Sequence, residues 1–146
     1  MLNRVIAFGS KYIDYKMAFA GAFVMAIIVF SVNYFKGSEL AGAITAAAKQ
    51  GAYTFLFGGF IMKTCERLAI GIRKPLWAIL TAILIPSVIA ITLTYIVHSL
   101  KGTPLPLEST VPTAILIIPA TIWWASRKRT QNAKCKTQNA KVRTQK

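Results

Sequence analysis

Few residues of this sequence could do chemistry, and the most unusual of them lie inside an apolar run. Lys49 and Gln50 stand between Leu40 and Met62, in a stretch of 23 residues that contains no other charge. Thr45 and Tyr53 lie one helical turn away from Lys49 on either side. An ammonium group with an amide, a hydroxyl and a phenol nearby can bind an anion. These four side chains are therefore predicted substrate-binding residues.

A second polar group lies in the segment 98–110, which reads HSLKGTPLPLEST. His98 and Glu108 are ten residues apart there, and such a pair can do acid–base chemistry or bind a metal. The alternative is a structural loop, stiffened by two prolines, in which Ser109 or Thr110 caps the next helix. His98 and Glu108 are kept as candidate substrate-binding residues, and no catalytic residue or metal ligand is predicted.

Other patterns that carry chemistry are missing from the sequence. None of its four acidic residues lies within an apolar run, and no nucleophile elbow, paired-histidine zinc motif or glycine-rich phosphate loop occurs. Cys65 and Cys135 have no second cysteine or histidine near them in the sequence, so neither a disulfide framework nor a metal site is predicted. We therefore expect no enzymatic activity and no cofactor.

The hydropathy pattern predicts the elements that hold these side chains. Hydrophobic residues make up 55% of the 146 residues and charged residues 15%, whereas a soluble domain has about 25% charged residues. Four apolar stretches approach the roughly 20 residues that a helix needs to cross a bilayer: 17–35, 40–62, 75–97 and 111–126. The sequence thus predicts an all-α, polytopic integral membrane protein with four transmembrane helices over residues 17–126.

The basic residues predict the orientation of these helices. The five segments outside the apolar stretches carry 3, 1, 4, 1 and 8 lysines plus arginines in chain order. Because strongly basic segments stay in the cytoplasm, both termini are predicted to be cytoplasmic, in a bacterial inner (plasma) membrane. On this interpretation, the net charge of +14 serves to orient the chain in the membrane and to attract its cytoplasmic segments to an anionic leaflet. No nucleic acid partner is therefore expected.

Both ends of the chain lie outside the predicted spans. Residues 1–16 are predicted to form a cytoplasmic interfacial segment, and a helical extension of the first span is the alternative. Residues 127–146 contain RTQNAKC, then KTQNAKV, then RTQ, which is a repeat with a period of seven. Its apolar positions are too small for a stable coiled coil, so a disordered basic tail is predicted.

The position of Lys49 is unusual for a charged residue. It follows Leu40 by nine residues, or about 14 Å of helix, which places it near the middle of a bilayer core about 30 Å thick. A charge there costs about 2.5–3.5 kcal/mol on insertion scales, and it commonly faces a bundle interior or a cavity. Pro86 and Pro119 are predicted to kink the third and fourth spans and to free carbonyl groups for the ammonium. A midplane site and a structurally accommodated charge are both consistent with this pattern.

The predicted function follows from the spans and from the lack of catalytic groups. We expect a non-enzymatic bundle in the lipid bilayer that forms a homo-oligomer or joins a larger membrane complex. The alternative is a small carrier or channel for an anion or an anionic lipid that uses Lys49. A holin-like or membrane-enzyme role is the second alternative, and its enzymatic form would use His98 and Glu108.

Overall fold

The structure, a computed structural model, describes residues 9–100 and 105–144. Every regular element of these residues is helical: α1 (Tyr15–Phe35), α2 (Leu40–Tyr53), a π-helical segment (Thr54–Gly58), α3 (Gly59–Gly71), α4 (Pro75–Leu100) and α5 (Pro106–Thr144). The side chains of Pro106, Glu108, Ser109, Arg143 and Thr144 lie outside the description. Since α2, the π-helical segment and α3 follow one another without a break, the elements form four long helices. The prediction of an all-helical chain is confirmed.

The chain divides into two compact units, Met1–Lys63 and Thr64–Lys146. In the first unit, Asp14 begins α1 as its N-cap, because its carboxylate accepts a hydrogen bond from the Met17 amide at 3.1 Å. The end of α1 is a Schellman motif, in which Ser38 N–H donates to Asn33 C=O and Gly37 N–H to Tyr34 C=O, each at 3.1 Å. Gly37 supplies the left-handed conformation that this motif needs, with φ of 87°.

The hairpin of α1 and α2 packs through small residues. Ala43 and Ala47 are the buried residues of α2. A Cβ atom added at Gly51 would lie 3.5 Å from the Ala26 Cβ atom and 3.6 Å from the Ala22 carbonyl oxygen, so the two backbones approach closely at this point. Close approach of this kind is how helices gain van der Waals contact in lipid, where no hydrophobic driving force acts between them.

In the second unit, α4 packs against α5. The buried residues of α4 recur at helical spacing and are small or compact: Ala78, Ala82, Pro86 and Ser87. On α5, Thr121, Trp124 and Ala125 are also buried, and Thr121 shares a hydrogen bond with Ser87 of α4. Pro75 opens α4, where its missing N–H group removes no helical hydrogen bond.

The distribution of side chains is inverted relative to a water-soluble bundle. Eight of the buried apolar residues are alanine or cysteine, whereas large aliphatic and aromatic side chains are exposed along all the long helices. Two helices, α1 and α4, are long and apolar enough to cross a membrane. As separate elements, α2 and α3 have only 14 and 13 residues, which is less than the roughly 20 needed to cross.

The C-terminal segment differs from the sequence prediction. Residues 127–144 continue α5 as a helix, which extends over 39 residues in all, and this corrects the prediction of a disordered tail for these residues. Lysine, arginine, glutamine and alanine are good helix formers, and the segment contains no glycine or proline. Because the packed part of α5 already supplies the nucleus, the helix only has to propagate.

Two other boundaries are also corrected. The helix α5 begins at Pro106, so Ser109 and Thr110 lie inside it and do not cap it. Residues 11–14 form a turn and an extended stretch before α1. Tyr15 and Lys16 of the predicted N-terminal segment already belong to α1, and residues 11–14 interrupt the helix before them. Residues 1–8 of the predicted interfacial segment lie outside the described residues.

Candidate functional site

The side chain of Lys49 lies on an exposed face of α2. Thr45 and Tyr53 share this face at a spacing of four residues and are exposed as well. The Thr45 hydroxyl donates a hydrogen bond to the Ala41 carbonyl at 2.8 Å, so its own oxygen keeps acceptor capacity. Three of the four predicted binding residues of this helix are thus brought together.

The fourth residue, Gln50, points elsewhere. Its amide nitrogen lies 3.4 Å from the Thr54 hydroxyl oxygen, at the first residue of the π-helical segment. Gln50 is half-buried, and it lies about one helical turn from the packed residue Ala47 and about two turns from Ala43. Its amide therefore supports the join between α2 and the π-helical segment, and it does not lie beside the ammonium of Lys49.

The face that carries Lys49 is not the face that α2 packs against α1. The reason is steric, because only alanine and glycine allow the close approach of α1 that the structure shows. Lys49 makes no ion pair or hydrogen bond with any residue that the structure describes. A groove of about 350 Å³ beside α1 and α2 is lined by apolar residues only, and Lys49 is not among them.

The predicted His98–Glu108 pair cannot be placed as a unit. His98 is half-buried in the last turn of α4, and Glu108 lies in the first turn of α5, with its side chain outside the described residues. Groups of three or more histidine, cysteine or acidic residues that could hold a metal ion are absent from the described part of the chain.

The two prolines named as kinks lie inside continuous helices. Pro86 is buried in α4, whereas Pro119 is exposed in α5. Each is followed closely by a hydroxyl residue, Ser87 and Thr121 respectively. The carbonyl groups that these prolines free lie in the second unit, and Lys49 lies in the first.

A buried polar cluster joins three helices of the second unit, and the sequence analysis did not identify it. Ser87 of α4 and Thr121 of α5 share a hydrogen bond at 3.2 Å, and the thiol of Cys65 in α3 donates to the Thr121 carbonyl at 3.6 Å. Thr121 also donates to the carbonyls of Ile117 and Ile118 at 2.9 Å. The feature of the sequence that could have indicated this cluster is a hydroxyl residue within two positions after each mid-helix proline.

Burial controls the chemistry of this cluster. The pKa of the Cys65 thiol is raised from 9.0 to about 12, chiefly because burial disfavours the thiolate, with a smaller contribution from nearby Glu66. A backbone hydrogen bond from Ala125 opposes this shift only in part. The thiol therefore stays protonated at neutral pH, and the cluster ties helices together without supplying a nucleophile.

A charged junction joins the end of α3 to α5, and it too was missed. The guanidinium of Arg129 donates to three backbone carbonyls at the C-terminal end of α3, those of Ala69 at 2.8 Å, Ile72 at 2.5 Å and Arg73 at 2.8 Å. These carbonyls have no partner within α3, so Arg129 caps that helix from a distant part of the chain.

The neighbouring lysine adds an ion pair to this junction. Lys128 lies 3.3 Å from the Glu66 carboxylate, and its ammonium is 4.6 Å from the ring centre of Trp124. The contacts of α3 with α5 advance in the same chain direction, from Cys65–Thr121 to Glu66–Lys128 to Ala69–Arg129, so the two helices run parallel here. Residues 127–129, RKR, were interpreted from the sequence only as an orientation signal. Two of these residues, Lys128 and Arg129, contact α3.

Comparison with known proteins identified no relative of this chain. No family model, no curated protein and no solved structure matches the chain.

Proposed function

We propose that this chain is a four-span protein of the bacterial inner membrane, with both termini in the cytoplasm, that acts without catalysis by associating with copies of itself. The proposed spans are α1, residues 40–62 of the continuous α2–α3 helix, α4 and the apolar first half of α5. The inverted distribution of side chains supports this assignment, because lipid covers exposed aliphatic and aromatic groups that water would not.

One observation carries the proposal of self-association. Away from its packed residues, α2 presents a second face of small side chains around Lys49, which we call the outer face: Ala41, Thr45, Lys49 and Ala52. All four are exposed. Small residues recurring at intervals of three and four are the pattern by which membrane helices approach one another closely.

The charge on the outer face strengthens this argument. An ammonium in contact with hydrocarbon is unfavourable, and Lys49 makes no ion pair or hydrogen bond with the rest of the described chain. A second copy packed on the outer face would shield the apolar stem of Lys49 and could offer its ammonium the hydroxyl oxygen of Thr45. Association through this face would therefore give the small residues close helix–helix contact and would remove the ammonium from contact with hydrocarbon.

The experiment increases the bulk of the outer face and measures the oligomeric state. Ala52→Leu should convert the detergent-solubilised oligomer to monomers in light scattering coupled to size exclusion. The matched control is Ala20→Leu, which adds the same bulk to an exposed alanine of α1 and should leave the oligomer intact. A monomeric wild-type protein, or equal dissociation in both variants, would contradict the proposal.

A second candidate function rests on the same ammonium, which has no ion pair or hydrogen bond within the described part of the chain. Lys49 could bind a small anion and carry it across the bilayer, and anion flux into liposomes would then disappear in Lys49→Met while Ala52→Leu retains it. Flux that is absent from the wild-type protein, or equal in Lys49→Met, would remove this candidate.

A further inference from the structure

The second unit contains a cationic groove that the proposed function does not use. It lies between the last turns of α3 and the helical extension of α5, has a volume of about 400 Å³ and is lined by Arg67, Ile70, Gly71, Asn132 and Lys136. Arg67 with Gly71, and Asn132 with Lys136, are each four residues apart, so two helical faces line the groove from opposite sides.

Charges that would oppose an anion in this groove are already neutralised. The C-terminal end of a helix carries partial negative charge, but Arg129 donates to the Ala69 carbonyl in the last turn of α3 and to the two carbonyls of Ile72 and Arg73 just after it. Glu66 is paired with Lys128. The other acidic residue of the unit, Glu108, is 24 positions before Asn132 in α5, or about 36 Å along the helix. The groove therefore presents a net positive field from Arg67 and Lys136.

The lining residues match a phosphate group that is attached to an apolar body. A guanidinium, an ammonium and a side-chain amide can all donate to phosphate oxygens. Ile70 adds an apolar surface, and a Cβ atom placed at Gly71 would meet nothing within 4 Å, so the wall is open there. A free phosphate would make no use of this apolar part of the groove.

The position of the groove along the membrane normal also fits a lipid headgroup. Arg67 lies five residues beyond the predicted end of the second span at residue 62, or about 7.5 Å along the helix, and Lys136 lies ten residues beyond Ser126, or about 15 Å. Helical side chains lean toward the N-terminus of their helix. Because α3 and α5 run parallel, both cations lean back toward the proposed membrane surface, where lipid phosphates lie.

We propose that this groove binds the phosphate of an anionic phospholipid of the cytoplasmic leaflet, with Arg67 and Lys136 as its charged ligands and Asn132 as a hydrogen-bond donor. The proposal rests on the proposed function in one respect, because the chain must lie in a membrane for a lipid to reach the groove. It goes beyond that function by adding a specific ligand class at a site remote in sequence from the outer face of α2.

The experiment measures lipid selectivity of the full chain. The purified protein is placed in nanodiscs of phosphatidylcholine, and the affinity for added phosphatidylglycerol is measured from thermal stabilisation and native mass spectrometry. The double variant Arg67→Gln/Lys136→Gln should bind phosphatidylglycerol at least about tenfold more weakly, since each substitution removes a charge-assisted hydrogen bond. The matched control is Lys141→Gln, which removes the same charge from an exposed position of α5 outside the groove and should change the affinity by less than about twofold.

Three results would overturn this inference. An equal loss in Lys141→Gln would show a diffuse attraction of the basic helix, and a wild-type protein with no preference for phosphatidylglycerol would show that no such site exists. Inorganic phosphate that stabilises the wild-type protein as strongly as phosphatidylglycerol would show a site for free anions. All three leave the membrane assignment intact, whereas recovery of the chain in the soluble fraction of lysed cells would contradict the proposed function itself.

Discussion

Arg129 offers the sharpest test of how the second unit is held together. Its guanidinium donates to the carbonyls of Ala69, Ile72 and Arg73, which lie 56 to 60 positions earlier in the chain. Arg129→Gln shortens the side chain and removes the charge, so the three carbonyls at the end of α3 lose their donors. We expect the variant to insert into the membrane normally and to unfold more easily.

The magnitude follows from the geometry. A hydrogen bond from a charged donor contributes about 1.5–3 kcal/mol, but Arg129 is half-buried and the carbonyls can partly recover water as partners. The three contacts share one side chain and do not add independently. A loss of about 2–3 kcal/mol in the free energy of unfolding is therefore expected, which corresponds to a fall of about 5–10 °C in melting temperature.

The assay is thermal unfolding in detergent, followed by circular dichroism, with two companion variants. Arg127→Gln removes the same charge from an exposed neighbour whose cation stacks on the Trp123 ring, 5.1 Å from its centre, and it should lower the melting temperature by less than about 3 °C. Arg129→Lys keeps the charge but cannot reach three carbonyls, so it should fall between the two. Equal melting temperatures for Arg129→Gln and Arg127→Gln would refute the capping role.

Two further predictions concern Lys49 and the cysteines. Lys49→Met should weaken self-association of the otherwise wild-type protein. Added to the monomeric Ala52→Leu protein, it should raise the melting temperature in detergent, because removing a charge near the midplane recovers about 2.5–3.5 kcal/mol on insertion scales; a lowered melting temperature would instead show that the ammonium is a structural tie. Iodoacetamide should alkylate the exposed Cys135 rapidly and the buried Cys65 only after unfolding. Because the folded-state pKa of Cys65 is about 12 and its ordinary value is 9.0, its contribution to stability is complete below pH 9 and is lost as pH rises from 9 toward 12. A Cys65→Ala protein should show less of this alkaline loss, and an identical pH dependence in the two proteins would contradict the buried, protonated thiol.

The helical architecture could be predicted because it follows from patterns within single segments. Four apolar stretches bounded by charges indicate four helices, and the turn at Gly37 and the proline at the start of α4 agree with their boundaries. The helical state of residues 127–144 was missed for the opposite reason. Composition alone favours disorder, whereas an adjoining packed helix and the anchoring by Lys128 and Arg129 favour propagation.

The candidate site could be predicted only in part. Lys49 was identified because a charge inside an apolar run is rare, but the direction in which it points depends on which side of α2 contacts α1. Both sides of α2 are rich in alanine, so the sequence contains no local signal that separates them. The contacts of Arg129 and of Thr121 with α3 join residues more than 50 positions apart, and neither spacing nor composition indicates such pairs.

The central claim is a four-span membrane protein with both termini in the cytoplasm, and reporter fusions test it most directly. A phosphatase that is active only outside the cytoplasm should be active when fused after Glu39 or Lys101. The same enzyme should be inactive when fused after Lys74 or Arg129, since the segments that carry most of the positive charge are expected inside. Activity after Lys74 or Arg129, or inactivity after Glu39 and Lys101, would contradict the four-span topology.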